Sequence, residues 1–170
     1  MSALTTPEFK DFKYGIAKVK TISFFVNEVA YINDPKKEVR VQMSHVFGTS
    51  PEFGLVDFRL STFFLYPERP DQILSEIVVQ NVFSIQNFSK YHKGNFTTFP
   101  SEFILSMISM SISHSRALYI NQLSGTLFQD FMLPITNSLD AAKHFFPTLF
   151  NKKTGVLNPT ITLERFGAKM

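Results

Sequence analysis

Residues 99–123, FPSEFILSMISMSISHSRALYINQL, constrain this chain most, because they read as one long helix with almost no polar face. Pro100 sits where a missing N–H costs least, Glu102 suits the positive end of the helix dipole, and Gly125 lies just past the other end. Ile104, Ile108, Ile112, Ser115 and Tyr119 recur at helical spacing on one side, and Met107, Met110, His114 and Leu118 on another. Ser106, Ser109, Ser113 and Ala117 form a third row of small side chains. A helix apolar on most sides must be covered on most sides, so one small sheet is not enough and a further layer is required: more of the same chain, a membrane or a second subunit.

The membrane is the poorest of these. A helix of about 36 Å is long enough to span a bilayer. Five serines between Ser106 and Ser115, with His114 and Arg116, nevertheless interrupt it, and an arginine there costs about 2.5 to 3.5 kcal/mol even on lenient insertion scales. Residues Met1 to Tyr14 include Pro7, Glu8 and Asp11 and no apolar run, so they read as neither a signal nor a transit peptide, and a cytoplasmic location is expected.

The other excluded classes follow from residue types. Without cysteine there is no disulfide framework, thiolate metal site or thiol nucleophile. The net charge of +3 is mild and Lys36-Lys37 and Lys152-Lys153 are only pairs, which argues against nucleic acid. His45, His92, His114 and His144 lack ligand spacing, Ser113-His114-Ser115 points to different sides of one helix, and the seven glycines form no phosphate-cradling loop. No catalytic constellation, cofactor motif or metal site is expected. Twenty phenylalanines exceed what one small core needs, so part of the aromatic surface is expected to face partners.

The first half is strand-like. VKTISFFVNEVA (19–30) is rich in β-branched and aromatic residues, and EVRVQMSHVF (38–47) alternates Val39, Val41, Met43 with Arg40, Gln42, Ser44. A third strand runs from Val56 to Tyr66 and a fourth from Ile73 to Ile85, with turns at 48–51 and at Pro67 and Pro70. Short connections predict an antiparallel meander. A short helix from Ser138 to about Phe146, capped by Asn137 or Ser138 and ended by Pro147, follows the extended FMLPI piece at 131–135. The expected fold class is α+β: a four-stranded antiparallel sheet covered on one face by a long helix and a short C-terminal helix. It forms one domain over 1–170, with a core of about 18–150, an N-terminal arm 1–17 and a tail 151–170 without apolar period. On period-two alternation, Leu74 and Glu76 point outward with Arg40, Asp57 and Arg59, while Ile73, Ile77, Val79 and Ile85 face the helix.

The order of pieces resembles the SecB export chaperones from Lys20 to about Phe150. It shares Ile22-Ser23-Phe24 in the first strand and Glu38-Val39-Arg40 at the start of the second. Glu76 stands seven residues before Phe83-Ser84-Ile85, a Phe-Pro pair starts the helix, Ser115-Arg116 lies near its end, and Leu133-Pro134-Ile135-Thr136-Asn137 precedes the last helix. The departures are a shorter link between Ile85 and Phe99, about one extra helical turn, and Ala117 where the family has glycine.

The resemblance implies a dimer of dimers whose grooves hold unfolded or extended polypeptide clients without ATP, for protein export. It implies a groove containing Phe25, Tyr31, Phe83 and Phe88, with Val29 to Lys37 as the crossover loop and Pro35 where the family has tryptophan. The serine row Ser106, Ser109, Ser113 and Ala117 would form the subunit contact. Leu74 and Glu76 match positions at which the translocase motor SecA docks on the sheet, whereas Thr21 and Phe25 replace the acidic residues of that surface. The other reading of the same fold is an oligomeric scaffold dedicated to one partner, such as an antitoxin or a single secreted protein.

Overall fold

The computed structural model describes residues 9–32, 34 and 36–164. Pro35 and the ends of the expected arm and tail lie outside the described residues. Four long strands, β1 (Tyr14–Val26), β2 (Arg40–Ser50), β3 (Leu55–Tyr66) and β4 (Arg69–Ile85), form one antiparallel sheet. A small second sheet holds β5 (His92–Lys93), β6 (Phe96–Pro100) and β7 (Thr160–Glu164) around the start of helix α1 (Ser101–Leu123); helix α2 is Ser138–Phe145.

The large sheet is not the expected meander. Its order is β1-β4-β3-β2, a Greek-key arrangement in which the link from β1 to β2 crosses the whole sheet. Three strand spacings are about 14 Å, which residues 27–39 span easily. β4 is central and carries the apolar run of Ile77, Val79, Phe83 and Ile85, all buried. β1 and β2 take the edges, and Lys18 and Lys20 place charge on the β1 edge, where backbone is left unpaired. Tight turns make the other links. Gly54 between β2 and β3 has φ +65°, and a Cβ there would lie 3.1 Å from the Ile85 carbonyl oxygen, so only glycine fits without strain.

Helix α1 lies across the inner face with the rows as read from spacing. Ile104, Ile108, Ser115 and Tyr119 are buried, as are Phe103, Met107 and Leu123, whereas Ser109, Ser113 and Ala117 are exposed and Ser106 half-buried. Each buried Ile or Phe contributes about 1.5 to 3 kcal/mol. The inner face holds two apolar clusters, one around Phe58, Phe83, Phe99 and Phe103, the other around Phe64, Leu74, Ile77 and Tyr119. Buried Thr62, Ser75, Asn81, Ser111 and Ser115 share that interface, and His114 Nδ1 lies 2.7 Å from Asn81 Oδ1. Asn137 caps α2 by accepting the Leu139 N–H at 2.9 Å.

The described parts of the expected arm and tail carry structure. β1 begins inside the arm, and Phe9 and Phe12 pack against Tyr91 at ring distances of 5.5 and 5.0 Å. In the tail, β7 pairs with β6, and the Ser101 N–H donates to the Pro159 carbonyl at 3.1 Å, which satisfies one free donor at the start of α1.

Candidate functional site

A groove of about 590 Å³ opens beside β2, lined by Tyr31, Ile32, Asp34, Lys37, Glu38, Val39, Arg40, Val41, Phe64, Phe131, Met132 and Pro134. Arg40 and Val41 at the start of β2 and residues 37–39 just before it line the groove from both faces, so it lies at the strand's edge rather than over one face. Among the described residues β2 is paired only with β3, which leaves every second N–H and C=O on its other side unpaired. The opposite wall is the connector between the helices. Pro134 has no N–H to give, and no backbone bond joins residues 131–136 to β2 among those described. A second concavity of about 510 Å³ adjoins the first, sharing Val41 and Pro134 and continuing past Met43 to Ala141, His144 and Phe145 of α2.

The floor is aromatic. Tyr31 meets Phe128 and Phe131 edge-on at 5.1 and 5.6 Å, and Phe64 meets Phe131 at 5.2 Å and stacks on Tyr119 at 5.4 Å. These contacts are apolar and non-directional, so the floor accepts many side chains. Two ion pairs sit on the rim beside the carboxylate of Asp34: Lys37 bonds Glu68 and holds its carboxyl below the usual carboxylate range, and Arg40 lies 3.7 Å from Glu38. Met132 and Ile135 on the connector are 74% and 88% exposed, leaving apolar surface at the mouth of the groove.

Of the four aromatic residues assigned to the groove from sequence, only Tyr31 lines it. Phe83 and Phe88 are core: Phe83 sits on the inner row of β4 against Phe103, and Phe88 packs on Phe99. Phe25 is 49% exposed on the opposite face of the sheet, because a register shift between Thr21 and Ser23 turns Phe24 inward and Phe25 outward. The expected outward pair on β4 is also split. Glu76 does face outward, with Phe25 and Phe63 as its cross-strand partners. Leu74 is fully buried: β3 pairs Phe64 with Ser75 and Leu65 with Ile73, and the skipped Leu74 drops into the inner cluster.

Neither a family model nor a curated protein sequence matches the chain. Among solved structures it is similar to the Mycobacterium tuberculosis SecB-like chaperone in complex with a ChAD peptide from the HigA1 antitoxin, at 15% identity over 73% of this chain and 85% of that one, with a TM-score of 0.41. At that distance no residue is carried across. The groove therefore rests on its own geometry: Val39, Val41, Phe64, Phe131, Met132 and Pro134, which sequence reasoning did not assign to it, all line it. The one signal available for them was the Phe131–Ile135 piece, extended and broken by proline.

Among the described residues no group of three His, Asp or Glu could hold a metal ion, and no helix is long and apolar enough to cross a membrane. A second titratable group that the fold perturbs is His45, packed against Phe145 of α2. Its ring lies 5.6, 4.6 and 5.0 Å from those of Phe58, Phe145 and Phe146, and burial, with a smaller contribution from His144, lowers its pKa below the ordinary 6.5. A histidine held neutral by folding takes up its proton more readily once unfolded. Its effect is therefore absent above pH 6.5 and destabilises progressively as pH falls from 6.5 through the folded-state pKa. Urea midpoints measured from pH 7.5 to 5 should fall for the parent, and His45→Phe should flatten that slope. An unchanged slope would refute the assignment.

Proposed function

We propose that this chain is a binding module which holds extended, non-native polypeptide segments in the groove along β2. The observation that carries this reading is an apolar, aromatic-floored groove beside an unpaired strand edge. An extended client laid there meets backbone donors and acceptors that do not depend on its sequence, while alternate side chains enter the floor. Two or three such side chains, each worth about 1.5 to 3 kcal/mol on burial, supply the apolar part of the attraction, and the backbone bonds to β2 add to it. No nucleotide or metal takes part. The finer reading is an ATP-independent holdase serving protein export, working as a homo-oligomer built through the Ser106, Ser109, Ser113 and Ala117 face of α1, with Glu76 left on the free sheet face for a further partner.

Calorimetric titration of a short peptide with phenylalanine or leucine at alternate positions tests it. Tyr31→Ala should weaken binding by about 1 to 2 kcal/mol, the range for a half-buried aromatic anchor, in a variant that still unfolds cooperatively. Parent-like binding by Tyr31→Ala would overturn the groove assignment. Suppression of aggregation across unrelated denatured proteins is expected of a general holdase, and its restriction to one protein would make the module a dedicated one.

A further inference from the structure

We infer that Tyr66 is the positioning residue of this groove, fixing the crossover segment so that Tyr31 is already in place when a client arrives; the inference rests on the groove reading above. The described residues of the segment 27–39 hold one another only locally, through a 3₁₀ turn at Glu28–Ala30 and bonds such as Asp34 N–H to the Ile32 carbonyl at 2.8 Å. The segment must be held from outside. At its start the Asn27 N–H donates to the Leu74 carbonyl at 2.8 Å, and near its end the exposed Lys37 and Glu68 side chains pair. In the middle Tyr66, only 1% exposed at the end of β3, accepts the Ile32 N–H at 2.7 Å and lies 3.5 Å from the Ile32 carbonyl.

Ile32 directly follows Tyr31. Its N–H belongs to the peptide unit that joins the two residues, so the bond to Tyr66 fixes that unit and with it the direction in which Tyr31 leaves the backbone. The tie is short and comes from a buried side chain, whereas an exposed ion pair such as Lys37 with Glu68 holds a loop weakly. β3 thus supplies both Phe64 in the floor and, two residues on, the hydroxyl that holds the wall above it. A groove wall ordered beforehand spares the client the entropy of ordering it, and that saving appears as affinity. A buried tyrosine needs some partner for its hydroxyl in any core, so the test must ask whether the bond acts through Tyr31.

Tyr66→Phe keeps the ring and removes the hydroxyl. With the same alternating peptide as probe, it should weaken binding about threefold to tenfold, the range for one lost hydrogen bond, and speed amide exchange at Ile32. Tyr31→Ala and the double variant Tyr31→Ala/Tyr66→Phe complete a cycle. If Tyr66 acts through Tyr31, the double variant binds no more weakly than Tyr31→Ala. Parent-like affinity of Tyr66→Phe, or losses that simply add in the double variant, would overturn the positioning role while leaving the groove intact. A Tyr31→Ala variant that binds like the parent would instead overturn the groove reading itself.

Discussion

Replacing Leu74 with aspartate is expected to abolish the cooperative fold, while Glu76→Lys, two residues away on the same strand, leaves it standing. Leu74 is fully buried with Phe64, Ile77 and Tyr119 beneath α1. Emptying such a leucine site costs about 2 to 5 kcal/mol, and a carboxylate there adds the penalty of a buried, unpaired charge, about 3 to 5 kcal/mol. The sum approaches the whole stability of an ordinary domain, about 5 to 15 kcal/mol. Glu76 is half-buried on the other face, between its cross-strand partners Phe25 and Phe63, and a lysine there trades one solvated charge for another within about 0.5 kcal/mol. Circular dichroism melts of both variants decide the matter. A folded Leu74→Asp would mean that β4 runs with uninterrupted alternation and that Leu74 faces solvent, as simple period-two reading has it.

That pair also shows where sequence reasoning stops. The helix 101–123 was legible because its spacing, start and stop signals agree, and its buried rows match those read from period. Strand existence was legible for the same reason. Which side each strand residue takes was not, since a one-residue irregularity reverses alternation, and both irregularities that matter, near Ile22 and Leu74, carry no glycine or proline to mark them. Strand order was lost to a related cause. A link of 27–39 permits either a neighbour or a crossing, and only the stronger apolar run of β4 hinted that it belongs in the middle. The tail gave no apolar period because β7 has five residues and contributes one fully buried side chain, Ile161. The groove is built from three separate pieces of chain, the stretch between Tyr31 and Val41, Phe64, and the stretch between Phe131 and Pro134. No local pattern announces such a juxtaposition.

Ser109→Arg is expected to reduce the protein to single chains without harming the fold of each. In one chain Ser109 is exposed on the outer face of α1, and arginine is a good helix former, so the cost there is within about 0.5 kcal/mol. Apolar surface is open to water there: Ile120 is 45% exposed one turn past Ala117 on the helix, and Tyr14 of β1, which shares a shallow cleft with Ser106 and Ser109, is 39% exposed. In the proposed assembly the serine row would let another helix approach to about 8 Å between axes. Ser113 needs nothing from a partner on burial, because its hydroxyl already donates to the Ser109 carbonyl at 2.9 Å. An arginine placed at such a crossing puts an unpaired charge into a dry contact, at several kcal/mol, a thousandfold or more in the association constant. Light scattering at micromolar concentration should therefore return a multiple of 19.5 kDa for the parent and 19.5 kDa for the variant. A parent that scatters as a single chain would remove the assembly altogether, and a variant that keeps the parent's mass would place the contact on another face.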